Sequence, residues 1–322
     1  MERRSAPLTF TDHLTHDLGG PRSKAFFDDC ERLVPWQQLG ERLQDLFPDT
    51  PQGGRPHWPI VLMVKCMLLQ RWFQLSDPQL EEVLRDRLSF RRFVGLSLDD
   101  GTPDETTFCV FRERLREAGH AVTLFEAVNE HLRQKGVILQ NGTLVDAMIV
   151  SAPNGRSRPD GSSTRDGCAS GTRKHGRHYV GYKAHIASDR RGLITNYVFD
   201  TASPHDSVHF DQLTANEKEA AYGDSAYMSQ ERRERLEARG VFCGVLFRRV
   251  RHQKELSQAQ REHNRRCAKV RGLVELPFAW LRNWGYYRVR YRGLLRNAVD
   301  FVLHAIAYNL KRSLKLLAAG NT

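Results

Sequence analysis

The sequence of 322 residues has few cysteines, and their placement excludes two kinds of structural site. All six lie far apart with no Cys-x-x-Cys pair, so neither a zinc site of the usual spacing nor a disulfide framework is expected. Long apolar runs are also absent. The most apolar early run, residues 58–69, contains Lys65 and is too short to span a bilayer, and the first residues do not resemble a signal peptide. We expect a soluble protein of the reduced cell interior with no membrane partner.

Acidic residues are scarce in residues 248–296, which we call the basic segment. It contains 14 Lys or Arg residues and three acids, an excess of 11 that equals the formal net charge of the whole chain. Such clustering is the electrostatic footprint of a nucleic-acid binder. A solvated basic face is the alternative, but the concentration of charge in one segment favours binding to a polyanion.

The first part of the chain shows the apolar spacing of helices. We predict helices over residues 26–47, 59–73 and 122–134, with two more between the second and third of these. One begins at Ser76, which precedes Pro78 at the start of the helix. The other begins at Thr102, whose side chain would form a capping box with Glu105.

Three arginines, Arg112, Arg114 and Arg116, follow these two short helices. The pattern allows a helix-turn-helix motif that reads DNA, and an ordinary helical bundle explains it equally simply. The bundle is slightly favoured for the fold, while DNA contact stays open as a role of this part of the chain.

From residue 143 the apolar pattern alternates as in strands. We predict strands over residues 143–150, 179–187, 193–199, 219–223 and 241–247, helices over 207–218 and 229–239, and then a long basic helical region. Gly192 would supply the hairpin turn between the second and third strands. Residues 153–178, rich in Gly, Ser, Arg and Asp, read as a long flexible loop. The order predicts an α/β fold with a ribonuclease H-like mixed sheet flanked by helices (residues 139–322), preceded by an N-terminal all-α domain (residues 1–138).

Two carboxylates stand out at the strands of this pattern. Asp146 interrupts an apolar strand, where a lone charge is costly unless an edge position, a salt bridge or a metal offsets the loss of water. Asp224 follows the strand over residues 219–223, and Gly223 would let the backbone turn so that the carboxylate points off the strand end. An ordinary turn residue is the alternative interpretation of Asp224.

A third carboxylate, Glu275, is the only acid between Glu262 and Asp300. Helical spacing places Arg271 one turn before it and Arg282 two turns after it, on the same face. Salt bridges on that face are the ordinary interpretation. Pro277 would either kink the helix or place Glu275 near the start of a new segment.

In a ribonuclease H-like fold the three acids would converge, from the first strand, the end of the fourth strand and the last helix. Mg²⁺ is a hard cation that prefers such oxygen ligands. Two such ions about 3.5–4 Å apart can activate an attacking hydroxyl and stabilise the leaving 3′ oxygen of a phosphodiester. The basic segment would then hold the DNA and offset the repulsion between acids and phosphates.

Ordered motifs run through residues 50–315. In the first part they are Leu75-Ser76-Asp77, Phe90 to Leu96, Pro103 to Phe108 and Phe111-Arg112. In the second part they are Leu144 to Ala147, Gly181 to His185, Thr201-Ala202, His205-Asp206, Gly223 to Tyr227, Val274 to Phe278 and Tyr291 to Leu294. In this order they resemble the transposases of bacterial insertion sequences with an Asp-Asp-Glu triad, specifically the insertion-sequence-five family.

The resemblance implies an enzyme that cuts DNA at the terminal inverted repeats of its own insertion sequence and transfers the freed 3′ ends to target DNA. It implies that Asp146, Asp224 and Glu275 are the catalytic residues and metal ligands, with two Mg²⁺ ions as cofactors and Mn²⁺ as a substitute. The implied partners are double-stranded DNA and further copies of the chain, in a homodimer or larger synaptic complex. The implied location is the prokaryotic cytoplasm, at the nucleoid.

The resemblance also implies roles for residues around the triad. Contacts with DNA are expected from Arg271, Arg282, Lys183, Arg290 and Arg292. Alternatively, Lys183 and His185 simply alternate outward on their strand. His205 and Asp206 would support the metal site, whereas the slightly favoured alternative makes Asp206 a helix cap and His205 a surface loop residue.

The family carries a Tyr, Arg, Glu, Lys signature around its last acid, and this sequence departs from it twice. Arg271 and Glu275 match, while Ala268 stands at the Tyr position and Arg282 at the Lys position. Arginine keeps the charge of lysine but is not equivalent to it. Two rival functions follow: an inactive or domesticated DNA-binding relative, and a plain nuclease of the same fold that does not join strands.

Overall fold

The computed structural model of the chain describes residues 21–47, 56–156, 158, 160, 163–174, 176–249 and 253–320. These residues form two compact units. One contains the described residues up to Leu132 together with those from Val302, and the other is Arg133–Phe301. Within the described ranges, no helix is long and apolar enough to cross a bilayer.

The first part of the chain is helical, as the apolar spacing predicted. Its helices are α1 (Pro21–Leu33), α2 (Trp36–Glu41), α3 (Ile60–Trp72), α4 (Asp77–Asp86), α5 (Leu88–Val94), α6 (Glu105–Glu117) and α7 (His120–Gln134). Helix α3 is buried on nearly every side, as expected of a central helix. Its Trp72 donates from the indole Nε1 to the carbonyl oxygen of Ala307 at 2.9 Å, and Phe27 stacks on Phe93 with ring centroids 4.6 Å apart.

The predicted single helix over residues 26–47 is wrong. Helix α1 ends at Leu33 and α2 begins at Trp36, with Pro35 between them. Proline has no backbone N–H to donate and disfavours helical geometry in the residue before it, so the first helix stops there.

The two helix starts predicted from capping residues differ in outcome. Ser76 caps α4 in a capping box, as expected. Thr102 does not cap α6, because Asp104 accepts the hydrogen bond from the backbone N–H of Thr107 at 2.7 Å. The Asp104 carboxylate also accepts from the hydroxyls of Thr106 and Thr107, so it satisfies more donors than the Thr102 hydroxyl would.

The three arginines near the end of α6 make contacts within their own unit. Arg112 is buried and pairs with Asp77 at 2.5 Å, and Arg114 donates to the carbonyl oxygen of Leu46 at 3.2 Å. Arg116 pairs with two neighbouring glutamates. These contacts favour the bundle interpretation of the arginine pattern, and the helix-turn-helix stays a prediction.

In the described part of the second unit, six strands form one mixed sheet. They are β1 (Thr143–Ser151), β2 (Ser170–Lys174), β3 (Arg177–Ser188), β4 (Ile194–Thr201), β5 (Ala220–Gly223) and β6 (Phe242–Val245). Strand β3 pairs antiparallel with β1, β2 and β4, while β1 pairs in parallel with β5, and β5 with β6. The order β4–β3–β1–β5–β6 confirms the predicted ribonuclease H-like mixed sheet.

The stretch over residues 153–178, predicted to be a flexible loop, contains a strand that the sequence did not indicate. Strand β2 lies within it and pairs with the first residues of β3. Asp166 fastens the same stretch further, because its Oδ2 accepts hydrogen bonds from the Tyr182 hydroxyl at 2.6 Å and from the backbone N–H of Gly293 at 3.0 Å. Strand β2 is mostly exposed and polar, so it lacks the apolar alternation from which a strand is predicted.

The predicted helix over residues 207–218 is also largely wrong. Only a 3₁₀ turn (Asp206–His209) and the short helix α8 (Phe210–Leu213) form. The chain then turns around Glu217, whose Oε1 accepts from the backbone N–H groups of Lys218 and Glu219 at 2.9 and 2.7 Å. A carboxylate that binds backbone donors in this way competes with helix formation.

Helices cover both faces of the sheet. After α8 come α9 (Gln230–Ala238), α10 (Gln258–Arg271), α11 (Glu275–Asn283) and α12 (Leu294–Ala318). On one face Val145 and Ala187 pack with Phe210 and Leu236, from α8 and α9. On the other face α10 packs against β1, β5 and β6. Because side chains alternate along a strand, Asp146 points to the face that α10 covers.

Candidate active site

Asp146 lies in the middle of β1 and points to the face covered by α10. Its side chain is only 15% exposed. Its Oδ1 accepts from the backbone N–H of Ala147 at 2.8 Å, and its Oδ2 accepts from Arg271 Nη2 at 2.6 Å. Of the three explanations offered for this carboxylate, the structure therefore shows a salt bridge.

Asp224 follows directly after β5 and begins a 3₁₀ turn (Ser225–Tyr227), where its Oδ1 accepts from the backbone N–H of Ala226 at 2.9 Å. The chain does turn here, but Gly223 has no positive φ, so the turn does not depend on a conformation that only glycine adopts readily. A Cβ at this position would instead lie 3.0 Å from the rings of Phe210 and Tyr227. The glycine therefore makes room for those rings beside the acid.

Glu275 is the first residue of α11, after a 3₁₀ turn (Gly272–Val274) that follows α10. The second of the two outcomes expected from Pro277 is thus confirmed, since a new segment begins just before the proline. The Glu275 side chain is 54% exposed, and its Oε1 lies 3.4 Å from Arg271 Nη2.

Arg271, the last residue of α10, brings the three acids into one electrostatic cluster. Burial opposes its charge, but Asp146, Asp224 and Glu275 together raise the pKa of Arg271 above its ordinary value. Burial raises the pKa of Asp146, and Asp224 raises it further, despite the lowering effects of the Ala147 N–H and Arg271. Arg271 thus contacts Asp146 and Glu275 directly and interacts electrostatically with Asp224.

Lys183 and Asp206 form an ion pair beneath the sheet. Lys183 is buried, and its Nζ lies 2.8 Å from Asp206 Oδ1 and donates to the carbonyl oxygen of Pro204 at 2.7 Å. Asp206 does not cap the turn that follows; instead the exposed His205 does, accepting from the backbone N–H of Ser207 at 3.3 Å. The carboxylate is unavailable as a cap because it faces the lysine.

Comparison with known protein families shows to which family the chain belongs. The family model described as Transposase DDE domain matches residues 139–310, more than half of the chain and all three acids. The chain belongs to the DDE transposases. A second model, described as Transposase domain (DUF772), matches residues 18–114, which include most of the helical part.

Two solved structures are similar to this DDE transposase at low identity. The piggyBac transposase synaptic complex with hairpin DNA has a TM-score of 0.45 and 9% identity, covering 96% of this chain and 78% of that one. The Mos1 strand transfer complex has a TM-score of 0.20 and 13% identity, covering 97% of this chain and 91% of that one.

Membership of the DDE transposases implies dependence on a divalent metal. In the part of the chain that the structure describes, no group of three His, Cys, Asp or Glu side chains is arranged to hold a metal ion. The donors nevertheless suit a hard cation, because Asp146 and Asp224 are close enough for one to raise the pKa of the other. A buried carboxylate with a raised pKa gains from added positive charge, which Arg271 supplies in this structure.

Two further groups in this transposase, Tyr227 and a histidine pair, have surroundings that the sequence did not indicate. Tyr227 is buried, and its hydroxyl has no hydrogen-bond partner among the described residues. Burial raises its pKa, and Asp146 and Asp206 raise it further, so the hydroxyl stays protonated. Its position three residues after Asp224, within the motif Gly223 to Tyr227, is the one feature of the sequence that could have indicated a place near the acids.

The second overlooked group is a histidine pair beside Lys183. His185 is fully buried, and its ring centroid lies 4.6 Å from that of His209. Burial, and then His209, lower the pKa of His185 to about 4, so its imidazole is neutral at pH 7. His209 Nε2 lies 3.1 Å from Asp200 Oδ2. His185 was expected either to contact DNA or to alternate outward on its strand, and its complete burial rules out the outward orientation.

The basic residues expected to contact DNA are mostly on the surface. Arg282, Arg290 and Arg292 are exposed, and Arg292 donates to the carbonyl oxygen of Thr164 at 2.6 Å. The basic segment is attached to the end of β1, where the Ser151 N–H donates to the carbonyl oxygen of Tyr287 at 2.9 Å. The N–H of residue 289 returns a bond to the Ser151 carbonyl oxygen at 3.0 Å.

Proposed function

We propose that this transposase cleaves DNA at the terminal inverted repeats of a bacterial insertion sequence and joins the freed ends to target DNA. We assign it to the insertion-sequence-five family on the ordered motifs described above. Asp146, Asp224 and Glu275 are the proposed catalytic residues, acting with two Mg²⁺ ions, or Mn²⁺ in their place. The observation that carries the proposal is the cluster of these acids around Arg271, on the α10 face of a ribonuclease H-like sheet.

The chain's own residues prepare this site for phosphodiester chemistry. Bound divalent cations would supply Lewis acidity toward the attacking and leaving oxygens. The Ala147 and Ala226 N–H groups orient the carboxylates of Asp146 and Asp224 through their Oδ1 atoms. The Oδ2 atom of Asp146 is in contact with Arg271 in this structure. Glu275 is exposed enough to complete the ligand set from the start of α11. Gly223 leaves room for the rings of Phe210 and Tyr227 next to Asp224.

Binding of double-stranded DNA is assigned to the basic segment, through Arg271, Arg282, Arg290 and Arg292. Exposed guanidinium groups form bidentate contacts with phosphates and release counterions on binding. Lys183 leaves this set, since its ammonium is buried against Asp206. Lys183 instead holds Asp206 in the loop that carries His205, and His205 and Asp206 keep their proposed role in supporting the metal site.

The remaining assignments follow the resemblance. Residues 139–322 are proposed as the catalytic domain and residues 1–138 as an accessory helical domain that contacts DNA. Two element ends held together require a homodimer or a larger assembly. The proposed setting is the nucleoid of a prokaryotic cell.

The test compares Asp146→Asn and Asp224→Asn with wild type on a labelled duplex that carries an inverted-repeat end, in the presence of Mg²⁺. Each variant should lose cleavage by about 10³-fold or more, as when one member of a catalytic set is removed, while it still binds DNA. Glu262→Gln, a surface change on α10, is the matched control and should cleave normally. Wild-type cleavage by Asp146→Asn would contradict the assignment.

Two rival functions give different outcomes in the same experiment. A DNA-binding relative without activity would show no cleavage in wild type and unchanged binding in both variants. A plain nuclease would cleave but would fail to join a pre-cut end with a free 3′ hydroxyl to a second duplex, whereas the proposed enzyme joins it.

A further inference from the structure

The contact between Arg271 and the acids is incomplete for a buried ion pair. A single nitrogen, Nη2, serves both Asp146 at 2.6 Å and Glu275 at 3.4 Å. The Nε atom is buried and has no hydrogen-bond partner among the described residues. A guanidinium has five N–H donors and normally binds a carboxylate through two of them. Arg271 therefore supplies charge to these acids without the usual fork geometry.

A divalent cation on the same acids would oppose this arrangement. The Oδ2 atom of Asp146 that a cation would bind is the atom that Arg271 contacts. A guanidinium and a metal ion at contact distance from one carboxylate oxygen repel each other strongly in a partly buried site. The two positive groups therefore compete for the acids, and one must leave when the other binds.

Arg271 is placed so that it can leave without unfolding anything. It is the last residue of α10, and its side chain is 23% exposed. Rotation of the side chain alone would carry its charge toward solvent, on the surface formed by the basic segment. A phosphate of the DNA backbone is the ligand best suited to bind the guanidinium there. It can accept two parallel N–H bonds from Arg271, whereas Asp146 accepts only one.

We propose that Arg271 is an internal competitor of the divalent cation, and that a DNA phosphate draws it off Asp146 so that DNA and metal bind cooperatively. The inference rests on the proposed function, since it takes the three acids as the metal ligands. In the absence of DNA the guanidinium keeps metal affinity low. When DNA is bound, the same side chain holds a phosphate and the acids become free for the cation. By linkage, metal must strengthen DNA binding by the same factor.

The experiment measures Mn²⁺ binding to the full chain by electron paramagnetic resonance, with and without a duplex. The duplex is a pre-cut element end terminated by a dideoxynucleotide, so that no joining occurs. Without DNA, Arg271→Gln should bind Mn²⁺ about tenfold more tightly than wild type. Adding the duplex should tighten Mn²⁺ binding in wild type by a similar factor and in Arg271→Gln hardly at all.

Two further variants keep the result interpretable. Arg235→Gln removes an exposed arginine of α9, outside the basic segment, and should leave the DNA-free Mn²⁺ affinity unchanged. Arg271→Lys keeps the charge without the planar fork and should bind Mn²⁺ less tightly than Arg271→Gln. The proposal is overturned if Arg271→Gln binds Mn²⁺ no more tightly than wild type without DNA, or if it keeps the full effect of DNA.

The same measurement separates this inference from the function on which it depends. If Asp146→Asn and Asp224→Asn bind Mn²⁺ as wild type does, these acids are not the ligands, and both proposals fail. If those variants lose Mn²⁺ but Arg271→Gln gains nothing, the metal site stands and only the competition is refuted.

Discussion

Two partly buried aspartate–arginine pairs among the described residues, Asp77–Arg112 and Asp146–Arg271, differ in their surroundings. In the helical unit, Asp77 accepts from Arg112 Nη1 at 2.7 Å and Nη2 at 2.5 Å, and from Gln70 Nε2 at 2.6 Å. In the sheet unit, Asp146 accepts from a single nitrogen of Arg271. The first pair has the bidentate geometry that stabilises a buried charge, and the second does not.

The pKa values of the two aspartates express this difference. Burial acts to raise the pKa of Asp77, but the hydrogen bonds from Arg112 and Gln70 outweigh it and lower the pKa below its ordinary value. At Asp146 burial prevails, and the pKa is raised although an arginine touches the carboxylate. A pair that satisfies its charges holds a fold together, whereas a pair that leaves them unsatisfied is typical of a site awaiting a ligand.

The largest expected difference between the two pairs is in how much each contributes to the free energy of unfolding. Asp77→Asn removes the negative charge that faces the buried Arg112 guanidinium, and we expect it to reduce the free energy of unfolding by about 3–5 kcal/mol. Asp146→Asn should change it by less than about 1 kcal/mol, because Arg271 can reach water. Urea denaturation followed by circular dichroism measures both.

A double variant controls for the loss of charge alone. Replacing both partners, Asp77→Leu with Arg112→Met, should recover much of the stability lost in Asp77→Asn, since no unpaired charge remains. Equal losses in Asp77→Asn and Asp146→Asn would remove the distinction between the two pairs.

The dependence of stability on pH gives a smaller effect of opposite sign at the two sites. The folded pKa of Asp77 is lowered, so its contribution to stability is present above its unfolded pKa of about 3.9 and is lost as the pH falls through the folded value. The folded pKa of Asp146 is raised, so its contribution is present below its unfolded pKa and is lost as the pH rises through the folded value.

Denaturation in a chelating buffer between about pH 3 and pH 7 tests these signs. The stability difference between wild type and Asp77→Asn should shrink toward the acid end of this range. Asp146→Asn should gain stability relative to wild type as the pH rises. The same slope for both variants would contradict the pKa directions.

The smallest effect on stability is expected for a third ion pair, which lies on the surface and serves as a reference for the two partly buried pairs. Arg265 and Glu262 on α10 are 2.9 Å apart, with side chains 75% and 45% exposed. Arg265→Ala should change the free energy of unfolding by less than about 0.5 kcal/mol, because water and salt screen the pair. The affinity of the Arg265→Ala variant for duplex DNA, measured by fluorescence anisotropy, should be lower than that of wild type and should depend less steeply on salt. A large loss of stability with unchanged DNA affinity would make this residue structural.

Local chemistry in the sequence was enough to predict much of the fold. The cap at Ser76 and the hairpin at Gly192, whose φ of 78° suits the turn, depend on neighbours in the chain. Strand β2 was missed because an exposed polar strand has no apolar alternation, and its pairing with β3 is a long-range choice. The break at Pro35 was readable from the sequence, but the apolar spacing on both sides of it masked the break.

In the candidate site, too, contacts between residues close in the sequence could be predicted, and long-range contacts could not. The spacing of Arg271 and Glu275 along a helix predicted their ion pair, which the structure contains at 3.4 Å. Nothing in the spacing indicates that the same guanidinium meets Asp146, which is 125 positions away. The burial of Lys183 and His185 was equally hidden, because a strand covered on both faces carries no signal that separates inward from outward polar residues.

Strand β1 carries Asp146 and, at its far end, the attachment of the basic segment through Ser151. The two points are five positions apart, which is about 17 Å along an extended strand. Because a paired strand cannot stretch or shorten, β1 fixes the interval between the Asp146 carboxylate and the attachment of the basic segment, and only a change in strand length would alter it.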